Sequence, residues 1–175
     1  MLHLKKIGFV LVFLTSVFYL RGAAQAAELT PFQGTLSPVT EAGYSVKVHG
    51  DGHSMELSIS ALEKLPLYKM VTKTIWNMDG EFVGVKLVDV VNHVGIKQFK
   101  RLFIRADDGY QITIERNDAG IENAILASRL NGKPFSLNNK GPFFIMWPDH
   151  AENVLTGKAV VTKWAWSTVE IQKIR

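Results

Sequence analysis

Cysteine is absent from all 175 residues of the chain, and this absence excludes several kinds of chemistry. Without a thiolate, the chain has neither a cysteine nucleophile nor a soft ligand for a metal ion. It forms no disulfide, so its stability must come from packing alone. No G-x-S-x-G segment occurs either, so serine-hydrolase chemistry is unsupported.

The N-terminal apolar run is short. Lys5 and Lys6 precede apolar residues 7–20, and Ala24-Gln25-Ala26 follows as an A-x-A cleavage pattern. About 20 residues are needed to span a bilayer, so this run favours a secretory signal peptide over residues 1–26. An uncleaved membrane anchor is the alternative. We therefore expect an exported protein that does not span the membrane after cleavage.

The chain also has little net charge outside the predicted signal peptide. The formal net charge of +4 falls to +1 without residues 1–26, because they contain three cations and no acid. Basicity is therefore mostly a property of the targeting signal, and we do not expect nucleic acid as a partner.

Residues 27–43, with two prolines and two glycines, predict an irregular lead-in, and residues 44–175 a single domain. The order of elements indicates the α+β class, with a mainly β mixed-sheet core and a few short helices. Predicted strands cover residues 45–49, 55–59, 68–76, 102–104, 110–114, 141–148 (a central strand) and 159–174 (long or bulged). Residues 124–130 fit either a strand or a helix, and the Asn-Gly turn signal after them favours a strand. One predicted helix starts at the Ser60-Ala61-Leu62-Glu63 capping box, and a second covers residues 86–94.

The hairpin over residues 101–115 is the first candidate site. Its Asp-Gly turn brings Arg105, Asp107, Asp108 and Tyr110 to one end of a sheet. Such a turn is either an ordinary solvated hairpin or one wall of a ligand site. A regular strand would turn only one of the two aspartates inward, and the sequence does not decide which.

Four tryptophans supply the second part of the candidate site. Trp76, Trp147, Trp164 and Trp166 stand at strand ends or beside turns, and burial in the core is the alternative role for each, most of all for Trp166. A stacking ring beside a carboxylate suits a flat heterocycle with an amino-imino edge. Trp76 or Trp147 would stack on it, with Trp164 nearby.

Metal binding has weak support. His49 and His53 are separated by a Gly-Asp-Gly turn, and no third ligand is apparent. We therefore expect two loop histidines and no metal site.

Several motifs together resemble the sulfite-oxidase-type molybdopterin-binding family, in its short exported single-domain form. Residues 82–90 fit an F-x-G-x-x-L-x-D pattern followed by a hydrophobic residue. Further matches in the same order are ADDGY at 106–110, NGKP at 131–134, GP at 141–142, WP at 147–148 and WAW at 164–166. The resemblance implies the sulfite-oxidase-like fold.

One departure from that family changes the expected function. Its catalytic members bind molybdenum through a cysteine in the segment that corresponds to residues 74–77, and this chain has none. The basic cluster that would hold a pyranopterin phosphate is also not evident. The chain is more similar to a subgroup, the PruR-type periplasmic pterin-response proteins, which lack the metal.

That subgroup resemblance implies a non-catalytic sensor. It implies binding of a reduced pterin such as tetrahydromonapterin, no molybdenum, and action on the periplasmic domain of an inner-membrane receptor that controls cyclic di-GMP. In this chain the pterin site would comprise Trp76, Arg105, Asp107, Asp108, Tyr110, Trp147 and Trp164. The alternatives are a molybdopterin-dependent oxidoreductase with atypical ligands and a ligand-free interaction module.

Overall fold

The computed structural model describes residues 27–39, 44–136 and 140–175. The predicted signal peptide and its cleavage site lie outside the described residues, as does the end of the lead-in, residues 40–43. In the described ranges, no helix combines the length and the apolar character that crossing a membrane requires.

Strands dominate the described chain. They are β1 (Thr30–Pro31), β2 (Ser45–Gly50), β3 (His53–Ser58), β4 (Leu67–Thr72), β5 (Gly80–Lys86), β6 (Arg101–Ala106), β7 (Gln111–Glu115), β8 (Ile125–Leu130), β9 (Lys133–Pro134), β10 (Phe144–Met146) and β11 (Thr168–Ile174). The helices are α1 (Ile59–Leu62), α2 (Leu87–His93), α3 (Ala151–Leu155) and one 3-10 turn (Pro148–His150). The expected class, α+β with a mainly β core and a few short helices, is confirmed.

The strands form two sheets. The first is antiparallel in the order β1-β4-β5-β8-β10, with β9 also paired to β8. The second runs β3-β2-β11-β6-β7 and is mixed, because β2 and β11 are parallel. Side chains of both sheets and of α2 belong to one hydrophobic core, so the described residues share a single packed interior.

Four local predictions are confirmed. The β2–β3 and β6–β7 hairpins form as expected, and β8 turns into β9 at Asn131 and Gly132, both with positive φ. Helix α2 ends before Gly95, whose φ of 97° suits glycine. These elements depend on alternation and turn chemistry, which are local properties of the sequence.

Two predicted boundaries are wrong. Ser58, and not Ser60, caps α1: its Oγ accepts a hydrogen bond from the Ala61 N–H at 3.2 Å, and the buried Ile59 begins the helix. Strand β4 ends at Thr72, four residues before Trp76. The segment between them turns, because the Thr74 side chain accepts a hydrogen bond from the Met78 N–H at 3.0 Å.

Two strand positions also differ from expectation. β10 lies at an end of the main strand order and is not central, although its residues are fully buried. β5 is a strand that the sequence patterns do not predict, because residues 82–85 are all buried and show no alternation. Burial on both faces removes the period-2 signal.

The predicted strand over residues 159–174 is wrong in its first half, because only β11 is a strand there. The Ile145 N–H donates to the Ala165 carbonyl at 2.8 Å, so this part of the chain bonds to the first sheet. Ser167, with φ of 51°, then turns the chain towards the second sheet. We call residues 164–167 the crossing segment, because they lead from the first sheet to the second. They include Trp164 and Trp166.

The lead-in is more ordered than expected. β1 pairs with Tyr68 and Lys69 of β4, and the buried guanidinium of Arg129 donates to the Ser37 carbonyl at 2.7 Å. Arg129 also binds the Glu63 carboxylate through Nε at 2.7 Å and Nη2 at 2.8 Å. This pairing satisfies a cation that would otherwise be costly to bury.

Candidate functional site: an aromatic cavity

A cavity of about 260 Å³ opens where the β6–β7 turn meets the crossing segment between the sheets. We call it the aromatic cavity. It is lined by Trp76, Asp108, Tyr110, Val161, Thr162, Trp164 and Trp166. Four of these seven side chains are aromatic, and one is a carboxylate.

The β6–β7 turn determines which aspartate reaches this cavity. The Ala106 N–H donates to the Tyr110 carbonyl at 2.9 Å, and Gly109 has a φ of 85°. The Asp107 N–H donates to the Ser167 carbonyl at 2.9 Å, which joins the turn to the crossing segment. In this arrangement Asp108 lines the cavity and Asp107 does not, although both aspartates are exposed.

The Asp108 carboxylate keeps hydrogen-bonding capacity for a ligand. Its Oδ1 accepts from the Tyr110 N–H at 3.0 Å, a local bond that orients the side chain. Among the described residues, no donor bonds to its Oδ2. An ionised carboxylate accepts several hydrogen bonds, so Asp108 can receive donors from a ligand in the cavity.

Tyr110 connects the hairpin to the opposite wall. Its hydroxyl donates to the Thr162 carbonyl at 2.6 Å, although the residue is 41% exposed. This bond closes one side of the cavity, and the ring remains available for apolar contact.

Trp76 enters from the turn that follows β4. The Asn77 N–H donates to the Thr74 carbonyl at 3.2 Å, and the Thr74 N–H donates to Asp79 Oδ1 at 3.2 Å. These bonds hold residues 74–77 in a fixed turn, in which Asn77 adopts a φ of 58°. The indole of Trp76 is therefore presented to the cavity by backbone geometry.

The three tryptophan rings form a corner. Trp76 and Trp166 are nearly perpendicular, with centroids 4.9 Å apart and an interplanar angle of 83°. Trp76 and Trp164 are tilted by 47°, with centroids 6.4 Å apart. A planar ligand can therefore stack on one ring while it meets the edges of the others.

A cation contacts the same corner. The Lys140 ammonium lies 3.9 Å from the Trp166 ring centroid and 5.5 Å from that of Trp76. Both distances are within the range of cation–π attraction. A positive charge thus lies against two of the three tryptophans.

Four of the seven predicted site residues line the aromatic cavity: Trp76, Asp108, Tyr110 and Trp164. Trp147 does not. It is 2% exposed, donates from Nε1 to the Lys163 carbonyl at 2.7 Å, and lines a separate cavity of about 340 Å³ with His150 and Asp118. The buried Trp164 is a wall of both cavities.

Arg105 also lies outside the aromatic cavity. Its Nε pairs with Glu170 Oε2 on β11 at 2.7 Å, and His49 Nε2 lies 2.9 Å from the other carboxylate oxygen. The hydrogen bond from Arg105, assisted by that from His49, lowers the pKa of Glu170, although partial burial opposes the shift. Arg105 therefore bridges two strands of the second sheet.

Trp166 and Lys140 are the features that the sequence did not single out for ligand contact. A regular strand over residues 159–174 would place Trp164 and Trp166 together on a packed face, which favoured a core role for Trp166. The structure leaves Trp166 half-buried and in the cavity wall. Only the crossing of the chain between the sheets produces this exposure.

Metal ligands do not cluster in the described residues. No group of three His, Asp or Glu side chains comes close enough there to hold an ion. His49 pairs with a single carboxylate, that of Glu170. No model of a known protein family matches the chain. No curated protein matches it either.

Proposed function

We propose that this protein is a non-catalytic binding protein for a reduced pterin, built on the sulfite-oxidase-like fold. It would act in the periplasm on an inner-membrane receptor that controls cyclic di-GMP. The observation that carries the proposal is the aromatic cavity, in which stacking rings and one carboxylate meet at one corner. The receptor and the compartment rest on the family resemblance of the sequence.

The size of the cavity suits a small ligand. Pockets for drug-sized molecules occupy about 300–1,000 Å³, so a volume of about 260 Å³ favours a two-ring heterocycle over a dinucleotide. The bicycle would stack on Trp76 and meet the edges of Trp164 and Trp166.

Asp108 supplies the polar recognition. The 2-amino group and N3–H of a pterin are adjacent donors in the ring plane, and the two oxygens of a carboxylate accept from both. Asp108 Oδ2 accepts from no donor among the described residues, and Oδ1, which accepts from the Tyr110 N–H, keeps a second lone pair. Asp107 has no comparable position, so the two adjacent aspartates form a matched pair for experiment.

The donor set does not suit molybdenum. Residues 74–77 correspond to the segment that supplies the metal-binding cysteine in the catalytic proteins that the sequence resembles. In this chain the same segment contributes the indole of Trp76 to the cavity. Neither tryptophan nor a single carboxylate replaces a soft thiolate ligand. This chemistry supports a bound pterin as a signal and not as part of a redox centre.

Anaerobic calorimetry with tetrahydromonapterin tests the proposal. Wild-type protein should bind, Asp108→Asn should lower the affinity by about tenfold or more, and Asp107→Asn should change it little. The expected loss reflects a charge-assisted hydrogen bond. Absence of heat at millimolar pterin, or equal losses in the two variants, would contradict the proposal, as would stoichiometric molybdenum in protein from its native host.

A further inference from the structure

Another, larger cavity lies at the other end of the β6–β7 hairpin. It measures about 640 Å³ and is lined by Lys97, Gln98, Phe99, Lys100, Arg116, Lys173, Ile174 and Arg175. We call it the basic cleft. It shares no lining residue with the aromatic cavity.

Positive charge is concentrated in this cleft. Five of its eight lining residues are Lys or Arg, and none is acidic. Arg116 pairs with Glu122 and Lys173 with Asp51, both outside the lining. Lys97 and Lys100 are exposed and make no ion pair with the described residues. The cleft is therefore a basic surface on a protein whose residues 27–175 carry a net charge of only +1.

The floor of the basic cleft is apolar. Phe99 is nearly buried, and the Arg116 guanidinium lies 5.6 Å from its ring centroid. Ile174 contributes an aliphatic wall. In a ligand that combines carboxylates with an apolar side chain, the carboxylates would pair with the cations at the rim, and the apolar side chain would pack against the floor.

The arrangement of the cations distinguishes between anionic partners. A small phosphate is held best by buried donors that converge on it, whereas Lys97 and Lys100 are exposed on flexible stems. A membrane surface presents a plane of charge, whereas the cations here surround a shallow, partly open cleft with an apolar floor. An extended acidic polypeptide segment fits the concavity and the spread of charge.

We propose that the basic cleft binds an acidic polypeptide segment with an apolar side chain, carried by a protein partner. The assignment of this segment to the membrane receptor rests on the proposed function, but the cleft itself does not depend on pterin binding. About five residues of strand, or about 17 Å, separate it from the turn at the aromatic cavity. The two sites can therefore be occupied at the same time.

Fluorescence anisotropy with a labelled peptide E-E-E-L-E-E-E tests this proposal, with the glutamine peptide Q-Q-Q-L-Q-Q-Q as the comparison. The acidic peptide should bind, and Lys97→Glu combined with Lys100→Glu should weaken it by about tenfold or more. The control carries Lys64→Glu with Lys133→Glu, two exposed lysines outside the cleft, and should stay within about twofold of wild type.

Two results would overturn the proposal. Equal losses in both double variants would mean that only net charge matters. Binding to phosphatidylglycerol vesicles without binding to the acidic peptide would identify a membrane surface as the ligand. Trp76→Ala separates the two sites, because it should weaken pterin binding by about tenfold or more and leave peptide binding intact. Failure of one measurement therefore leaves the other hypothesis standing.

Discussion

The aromatic cavity and the basic cleft lie at opposite ends of the same hairpin, yet they differ in every property that governs recognition. One is small, at about 260 Å³, with indole walls and a carboxylate. The other is more than twice as large and is lined by five cations, four of them exposed. One hairpin can therefore contribute to two binding sites of different chemical character. Its turn and the opposite end, where β6 begins and β7 ends, contact different parts of the fold.

The difference extends to the source of binding free energy. In the aromatic cavity, stacking and burial depend on contact and are insensitive to ions. In the basic cleft, Coulomb attraction acts across solvent and is screened by salt. Substitutions and solution conditions should therefore affect the two sites separately.

The largest expected effect is that of Trp76→Ala on pterin affinity. Loss of one stacking ring typically costs about 1–3 kcal/mol for a bound heterocycle, so the affinity should fall by about tenfold to a hundredfold. Trp76→Phe keeps an aromatic face and should retain most of the binding. Calorimetry would contradict the assignment of Trp76 as a stacking residue if the two variants bound equally well.

Salt should separate the two sites with a smaller effect. Raising the ionic strength from about 0.05 M to 0.5 M shortens the Debye length severalfold, so binding of the acidic peptide should weaken by about tenfold. Pterin binding should change by less than about twofold over the same range. Parallel titrations measure both, and a similar salt dependence at the two sites would remove the distinction between them.

The smallest expected effect concerns Glu170, whose contacts with Arg105 and His49 join β11 to its neighbours between the two cavities. Because Arg105 lowers the pKa of Glu170, the ionised carboxylate stabilises the fold. This contribution is fully present above the ordinary pKa of 4.5 and is lost as the pH falls through the lowered value. Glu170→Gln should cost about 1 kcal/mol of unfolding free energy at neutral pH.

Urea unfolding at neutral and at acidic pH measures this difference. The gap between wild type and Glu170→Gln should narrow as the pH falls below about 4.5, because the wild type then loses the same charge. The exposed Glu56 on β3 provides the control variant, Glu56→Gln, and should show no such gap. A gap that stays constant with pH would mean that the loss comes from packing.

The hairpin and the broad fold class follow from local sequence patterns. Alternation over Tyr110–Glu115 and the Asp-Gly turn predict β6 and β7, and helical spacing predicts α2. The patterns fail where burial is complete, as in β5, and where the chain changes sheets, as at Trp164–Ser167. Neither condition produces a local signal, because both depend on residues distant in sequence.

The candidate site shows the same division. The sequence identifies Trp76, Asp108, Tyr110 and Trp164, since turn-adjacent aromatics and an Asp-Gly turn are visible locally. It also assigns Trp147, Arg105 and Asp107 to the site. In the structure Trp147 bonds to Lys163 and Arg105 to Glu170, and Asp107 does not line the cavity. The partners of long side chains depend on the packing of the two sheets.

The sequence by itself determined that no thiolate is available and that a carboxylate-bearing turn ends a hairpin, because composition and turn chemistry are local. Only the tertiary structure decided between Asp107 and Asp108. The Asp107 N–H bonds to Ser167, sixty residues away, and this contact leaves Asp108 beside the tryptophans. The same crossing of the chain exposes Trp166, because a backbone bonded to two sheets cannot continue as one regular strand.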